Sequence, residues 1–248
     1  MDETSGIALA LKTGVPSYEV EANSVKDPFD APDWIFEIKL DGSGPSRSSM
    51  QPGKPHLWSR NGLPLEAKFP AVANAVSKLK LRSTILDGEV VAVDENGIPR
   101  FQLLQRSQKQ PAAPTLYYVF DVLWHRGDDL TVKAFVERRG ILERLLEPRA
   151  GVQLADYVES DGKALFNLTK EKGMEGIVAK RKDGIYRPGK RSSDWLKIKA
   201  RLQQDLWLAD LQRPKEAENI WVLSCWAPTR MVRCGTTATR VPALLKKA

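Results

Sequence analysis

Lys39 lies within Trp34-Ile35-Phe36-Glu37-Ile38-Lys39-Leu40-Asp41-Gly42, an apolar, strand-like run that closes on an Asp-Gly turn signal. A lone lysine in such a run ordinarily points its ammonium to solvent. Desolvated, or set among other cations, the same side chain holds a free amine and becomes a nucleophile able to attack phosphorus. Three further strand-like stretches carry chemically capable residues among apolar neighbours: Glu89, Glu175 and the pair Lys197 and Lys199. Two carboxylates hold a divalent cation against phosphate oxygens, two lysines hold a phosphate as point charges, and an aromatic ring such as Phe120 stacks on a base. Gathered in one cleft, these groups are the parts for attack on the α-phosphate of a nucleotide.

The elements that must position them read as follows. Met1 to Asp33 mixes Gly, Pro, Ser and charge and reads as a loosely ordered lead-in to a strand at Lys39. Leu57 to Gly62 reads as a short strand ending in a turn, and Ala67 to Leu81 has helical apolar spacing. Thr84 to Asp94 reads as two strands interrupted by Asp87-Gly88, with a hairpin turn at Asp94-Glu95-Asn96-Gly97. Leu116 to Trp124 is a strand, Val132 to Leu146 a charge-laced helix, and Gly162 to Lys172 a second helix. Glu175 to Lys180 and Trp195 to Lys199 are strands, the latter with its two lysines on one face. This intermixing lacks regular βαβ spacing, so the fold class is α+β with two largely antiparallel sheets flanked by helices.

Composition narrows the partners. Lys and Arg number 38 against 31 Asp and Glu, a net charge of +7 and a pI near 9.4, which suits a polyanion such as nucleic acid. Cys225 and Cys234 are too few for a disulfide framework or a zinc site, which fits a reducing cytoplasm. No apolar run reaches the roughly 18 residues of a membrane span.

The charged strands also resemble a family, the ATP-dependent DNA ligases among the covalent nucleotidyltransferases, most closely the ligase domain of bacterial end joining. The likeness runs from about Pro28 to Lys199. It rests on Lys39-Leu40-Asp41-Gly42, Ser59-Arg60-Asn61-Gly62, Asp87-Gly88-Glu89, Tyr118-Val119-Phe120-Asp121, Glu175 to Lys180 and Lys197-Ile198-Lys199, six motifs in the family's order. The resemblance implies that Lys39 forms a lysyl-AMP, Glu37 reads the adenine edge, Arg60 meets phosphate, and Phe120 covers the adenine face. It further implies Glu89 on ribose and metal, Glu175 on metal, and Lys197 and Lys199 on the α-phosphate. For Glu37 and Asp121 the plainer alternative is solvent-facing strand charge. ATP and Mg²⁺ or Mn²⁺ are the implied cofactors, and broken or nicked DNA, with end-joining proteins, the implied partners, at the nucleoid and not at a membrane. The basic loop from Arg181 to Arg191, with Arg187 and Lys190, is the expected DNA clamp. An RNA ligase or capping-type enzyme is a competing reading, as is a nucleic-acid-binding pseudoenzyme.

Two stretches depart from the family. The arginine expected two residues after Gly42 is absent, because Gly44 stands there in a run, Ser43 to Met50, with almost no apolar content. Back-translated with permitted codons and read one base earlier, that run gives I-R-A-F-A-V-I-D, which restores the arginine and an alternating strand. The family's second domain is an OB-fold. Asp205 to Ala248 has only weak strand alternation and lacks the Gly-rich turns of a small barrel, and the same back-shift yields barrel-like strings there. The adenylation domain is therefore expected at residues 1–200, with an incomplete or out-of-frame OB-fold remnant at 201–248.

Overall fold

The computed structural model describes residues 21–200, apart from 43–44, 52–53, 60, 108–112 and 148, together with 226–227 and 230–231. The chain divides into two units, Met1–Arg201 and Leu202–Ala248. In the second unit, β12 (Trp226–Ala227) pairs antiparallel with β13 (Arg230–Met231). The OB-fold remnant expected at 201–248 otherwise lies outside the described residues.

The first unit holds two sheets. One runs β1 (Glu21–Val25), β11 (Arg191–Lys199), β10 (Gly176–Arg181), β2 (Ala31–Ile38), β9 (Tyr157–Ser160). The other runs β4 (Lys54–Ser59), β3 (Pro45–Gln51), β5 (Thr84–Ala92), β6 (Thr115–His125), β7 (Asp128–Asp129), with β8 (Val152–Leu154) paired to β6. Among the described ladders of this unit only β1 with β11 and β6 with β8 are parallel, so the sheets are mixed and mostly antiparallel. Strand β1 falls in the stretch read from sequence as a loose lead-in. Parallel pairing with a strand about 170 residues away leaves no local signal to read.

Four described helices cover the sheets: α1 (Pro70–Ser77), α2 (Phe101–Ser107), α3 (Phe135–Leu145) and α4 (Gly162–Glu171). Proline opens α1, where a missing N–H costs nothing, so this helix starts later than the apolar spacing predicts. Its Val72, Ala75 and Val76 pack with Leu86, Val90, Tyr117, Val119 and Leu142 into the main core. Helix α4 covers the outer face of the first sheet through Leu165 and Phe166 against Phe36, Ile177, Ala179 and Ile198. Gly162 is obligatory there, since a Cβ would stand 2.3 Å from the Phe29 carbonyl and 2.4 Å from the Phe36 ring.

One expectation is corrected. Asp87-Gly88 is no turn: β5 runs unbroken through both, and a Cβ on Gly88 would meet the Tyr118 carbonyl at 2.3 Å, so its glycine serves close packing. Strand β3, from Pro45 to Gln51, is inserted between β4 and β5 where the sequence composition carries no strand pattern. Ser48 sits opposite Leu57 and Leu86, is wholly buried, and its Oγ finds no hydrogen-bond partner among the described residues. The back-shifted reading places valine there. Ser48→Val should raise stability by about 1 kcal/mol, because it removes a desolvated hydroxyl and adds buried apolar area. A urea midpoint at or below that of the parent would contradict this.

Candidate active site

Directly opposed residues of a sheet share a face, so register alone assembles the site. Ile35, Lys180 and Trp195 form one cross-strand row, and Glu37, Val178 and Lys197 the next. The Lys39 amide donates to the Gly176 carbonyl at 2.9 Å and Gly176 pairs with Lys199, so the third row is Lys39, Gly176, Lys199. Phe36, Ile177 and Ile198 alternate to the opposite face, under α4. At the centre of the third row Gly176, at φ 143°, could not hold a Cβ, which would lie 2.1 Å from the Ile198 carbonyl. The row therefore has two lysines about a residue with no side chain. Lys39 Nζ lies 2.6 Å from Glu175 Oε2, both side chains about one-fifth exposed.

Glu37, by contrast, is buried. Its Oε2 lies 2.6 Å from Lys180 Nζ and its Oε1 is 3.8 Å from Arg139 Nη1. Burial pushes the Glu37 carboxyl above the usual carboxylate range, against the pull of Lys180 and Arg139. The Lys180 ammonium is enclosed by the rings of Trp195, Phe120 and Phe135, at 4.3, 4.4 and 4.9 Å from their centroids. The solvent-facing alternative for Glu37 is thus corrected: the strand that carries it is covered on both faces.

The second sheet faces this one. Between β5 and β6 the register jumps twice, leaving Phe120 and Leu123 as extra residues of bulges. Both turn toward the first sheet, where they pack with Tyr186, Trp195 and Val178. Glu89 lies against the segment that follows Lys39, since a Cβ on Gly42 would meet its Oε1 at 2.8 Å and the Val90 carbonyl at 2.5 Å. Asp121 is buried too, gripped by Arg138 through Nε to Oδ1 at 2.9 Å and Nη2 to Oδ2 at 2.8 Å. Its solvent-facing alternative is likewise corrected.

Lys39, Glu175, Lys197, Lys199, Glu37, Phe120 and Glu89 are thereby drawn to the facing sides of the two sheets and the adjoining strand end. Arg60 lies outside the described residues. The loop after β10 is pinned by Tyr186, whose hydroxyl donates to Asp87 Oδ2 at 2.6 Å and whose amide donates to the Thr131 carbonyl. On it Arg187, Lys190 and Arg191 are exposed, Arg187 with its Nε 4.0 Å from Asp194 Oδ2, and Arg181 is engaged by Asp183 through two bonds of 2.9 and 2.6 Å. Sequence reasoning missed Lys180, Arg138 and Arg139. The signal was present, because Phe135, Arg138, Arg139 and Leu142 recur at the spacing of a buried helical stripe.

A hard divalent cation is compatible with these donors. Among the described residues no group of three or more His, Cys, Asp or Glu forms an all-protein cage. Magnesium commonly uses one or two carboxylates and keeps its remaining positions for water and phosphate. Glu89 and Glu175 would hold it and offset phosphate charge.

Two mixed sheets face each other, with Lys39 at the end of a strand inside one of them, and the solved structures place this architecture in the nucleotidyltransferase fold of DNA ligase domains. The chain is similar to the ligase domain of LigD from M. tuberculosis, with a TM-score of 0.63 at 27% identity over 74% of this chain and 61% of that one. It is equally similar, with a TM-score of 0.63 at 28% identity, to a mycobacterial DNA ligase D complexed with ATP and MES, over 74% of this chain and 60% of that one. A family model described as the ATP-dependent DNA ligase domain matches residues 18–199, and the chain belongs to that family. Among curated relatives, the multifunctional non-homologous end joining protein LigD of Pseudomonas aeruginosa is 36% identical over 74% of this chain. A prophage-derived DNA ligase-like protein of Bacillus subtilis is 33% identical over 71%. The chain spans 22% of the length of the first of these relatives and 64% of the second.

Proposed function

We propose that this chain transfers AMP from ATP to Lys39 and passes it to the 5′-phosphate of broken DNA, in cytoplasmic repair and recombination. The Lys39 nitrogen bonds to the α-phosphorus, the bond to the departing pyrophosphate breaks, and the ammonium proton leaves to solvent. The observation that carries the reading is the row of Lys39 and Lys199 about Gly176, with Lys197 on the same face and Glu175 2.6 Å from the Lys39 amine. Lys197 and Lys199 would hold the transferred phosphate, with positioning and electrostatics supplying most of the catalysis. Phe120 would cover the base. Mg²⁺, when bound at Glu89 and Glu175, neutralises charge on the phosphates.

Incubation with ATP labelled at the α-phosphate, and separately with labelled GTP, tests this. Covalent AMP supports it, covalent GMP favours a capping-type enzyme, and no label favours a pseudoenzyme. Nick sealing is expected to be weak even where AMP is taken up, because Asp205 to Ala248 as written has only weak strand alternation. Sealing at the pace of a chain carrying the back-shifted tail would contradict that expectation.

The exposed Arg187, Lys190 and Arg191 support phosphate-directed DNA binding, with Arg181 at the base of the loop. Lys190→Gln should weaken binding to nicked duplex of any sequence and reduce the slope of log affinity against log salt by about one. An unchanged slope would remove Lys190 from the interface.

A further inference from the structure

Glu37 is held from both flanks of β2. From β10 comes Lys180, in the cross-strand position next to Val178. From α3 comes Arg139, whose guanidinium lies 4.8 Å over the ring of Tyr157, the β9 residue opposite Glu37. Arg139 is itself anchored: Nε donates to Glu143 Oε1 at 2.9 Å and Nη2 to the Ala155 carbonyl. Glu37, Arg139 and Lys180 are 4%, 4% and 1% exposed. Yet Glu37 Oε1 and Arg139 Nη1, 3.8 Å apart, each lack a hydrogen-bond partner among the described residues. A buried carboxylate oxygen without a hydrogen-bond partner costs stability, and a ligand that donates to it recovers that cost. The other charged or titratable groups around Glu37 include Asp121 on β6, itself paired to Arg138, Tyr157 opposite it on β9, Lys39 two residues along the same face, and Lys197 at the far end of its row.

We propose that Arg139 is a positioning residue that, with Lys180, keeps the Glu37 carboxylate ionised and aimed between the sheets beside Phe120, ready to accept a hydrogen bond from the edge of the nucleotide's base. This rests on the adenylyl-transfer reading and adds to it a residue from a helix that carries none of the motifs. Glu37 accepts most strongly from such an edge while ionised, because protonation leaves it only a neutral carbonyl oxygen, a weaker acceptor. Burial alone favours its protonation, and the two cations oppose that. Removing Arg139 therefore lets Glu37 take up a proton at a higher pH.

The test is the apparent KM for ATP in covalent labelling, measured from pH 5.5 to 9 for the parent, Arg139→Met, Arg139→Lys and Glu37→Gln. Arg139→Met should raise KM about tenfold at the acid end, more than it lowers the saturating rate. Its acid limb should move up by about one pH unit, and the gap from the parent should close as pH rises. Arg139→Lys, which retains a cation, should return most of the limb. Glu37→Gln should be weak at every pH and indifferent to a further Arg139→Met replacement. A defect of equal size at all pH values, or none, would overturn the assignment, since a purely structural role for Arg139 shifts no limb. If Arg139→Met does not fold, the limb in Arg139→Lys and the coupling of that variant to Glu37→Gln decide the same point. A parent chain that takes no label from ATP would instead defeat the adenylyl-transfer reading, and the inference with it.

Discussion

Lys39→Ala should leave the chain with no covalent nucleotide, and Lys39→Arg should do the same. Alanine removes the amine. Arginine keeps the charge and much of the reach to Glu175, but a guanidinium stays protonated and offers phosphorus no lone pair. The two variants together separate nucleophilic from electrostatic use of the position, because an electrostatic role would survive the arginine. Position matters as well as chemistry. The Lys39 amide is fixed to Gly176 at 2.9 Å, and the ammonium to Glu175 at 2.6 Å, so the amine is aimed before any nucleotide arrives. Gel autoradiography after labelled ATP measures the outcome, with thermal melting to show that both variants fold. Label retained in Lys39→Arg would place the nucleophile elsewhere.

Much of this site was legible in the sequence for a physical reason. Strand residues alternate faces, so lysines at 197 and 199, or a carboxylate and an amine at 37 and 39, share a side whatever the partner strand is. Partner identity was not legible. That Glu37 meets Lys180 and Arg139 depends on β2 lying between β10 and β9, a long-range pairing that leaves no trace in local composition. The bulges that turn Phe120 and Leu123 inward were equally hidden, since an extra residue shows only against a partner strand. Asp87-Gly88 was misread because the dipeptide that favours a tight turn also suits a strand where another backbone comes close. Ser43 to Met50 was hidden for the opposite reason. A strand held between β4 and β5 forms from residues with little strand preference, and tertiary pairing overrides propensity.

Arg138→Met should cost about 3–5 kcal/mol, the largest stability loss expected of any single side-chain change between the sheets and α3. Arg138 and Asp121 are both fully buried and joined by two parallel bonds, so removing the guanidinium strands an ionised carboxylate without solvent. The guanidinium does more than neutralise. Its Nη1 donates to the Lys133 carbonyl at 2.6 Å and the Gly184 carbonyl at 3.3 Å, tying the start of α3 and the base of the basic loop to β6. It also lies 5.6 Å from the ring centroids of both Phe135 and Tyr186. Because most of the penalty is the orphaned charge, Arg138→Met combined with Asp121→Leu should recover a large part of it, as apolar replacements of a buried pair often do. The two carbonyls left without a donor would account for what remains. Urea denaturation of the single and double variants gives the comparison. A double variant no more stable than Arg138→Met would mean that the lost carbonyl bonds, not the unpaired Asp121, carry the cost.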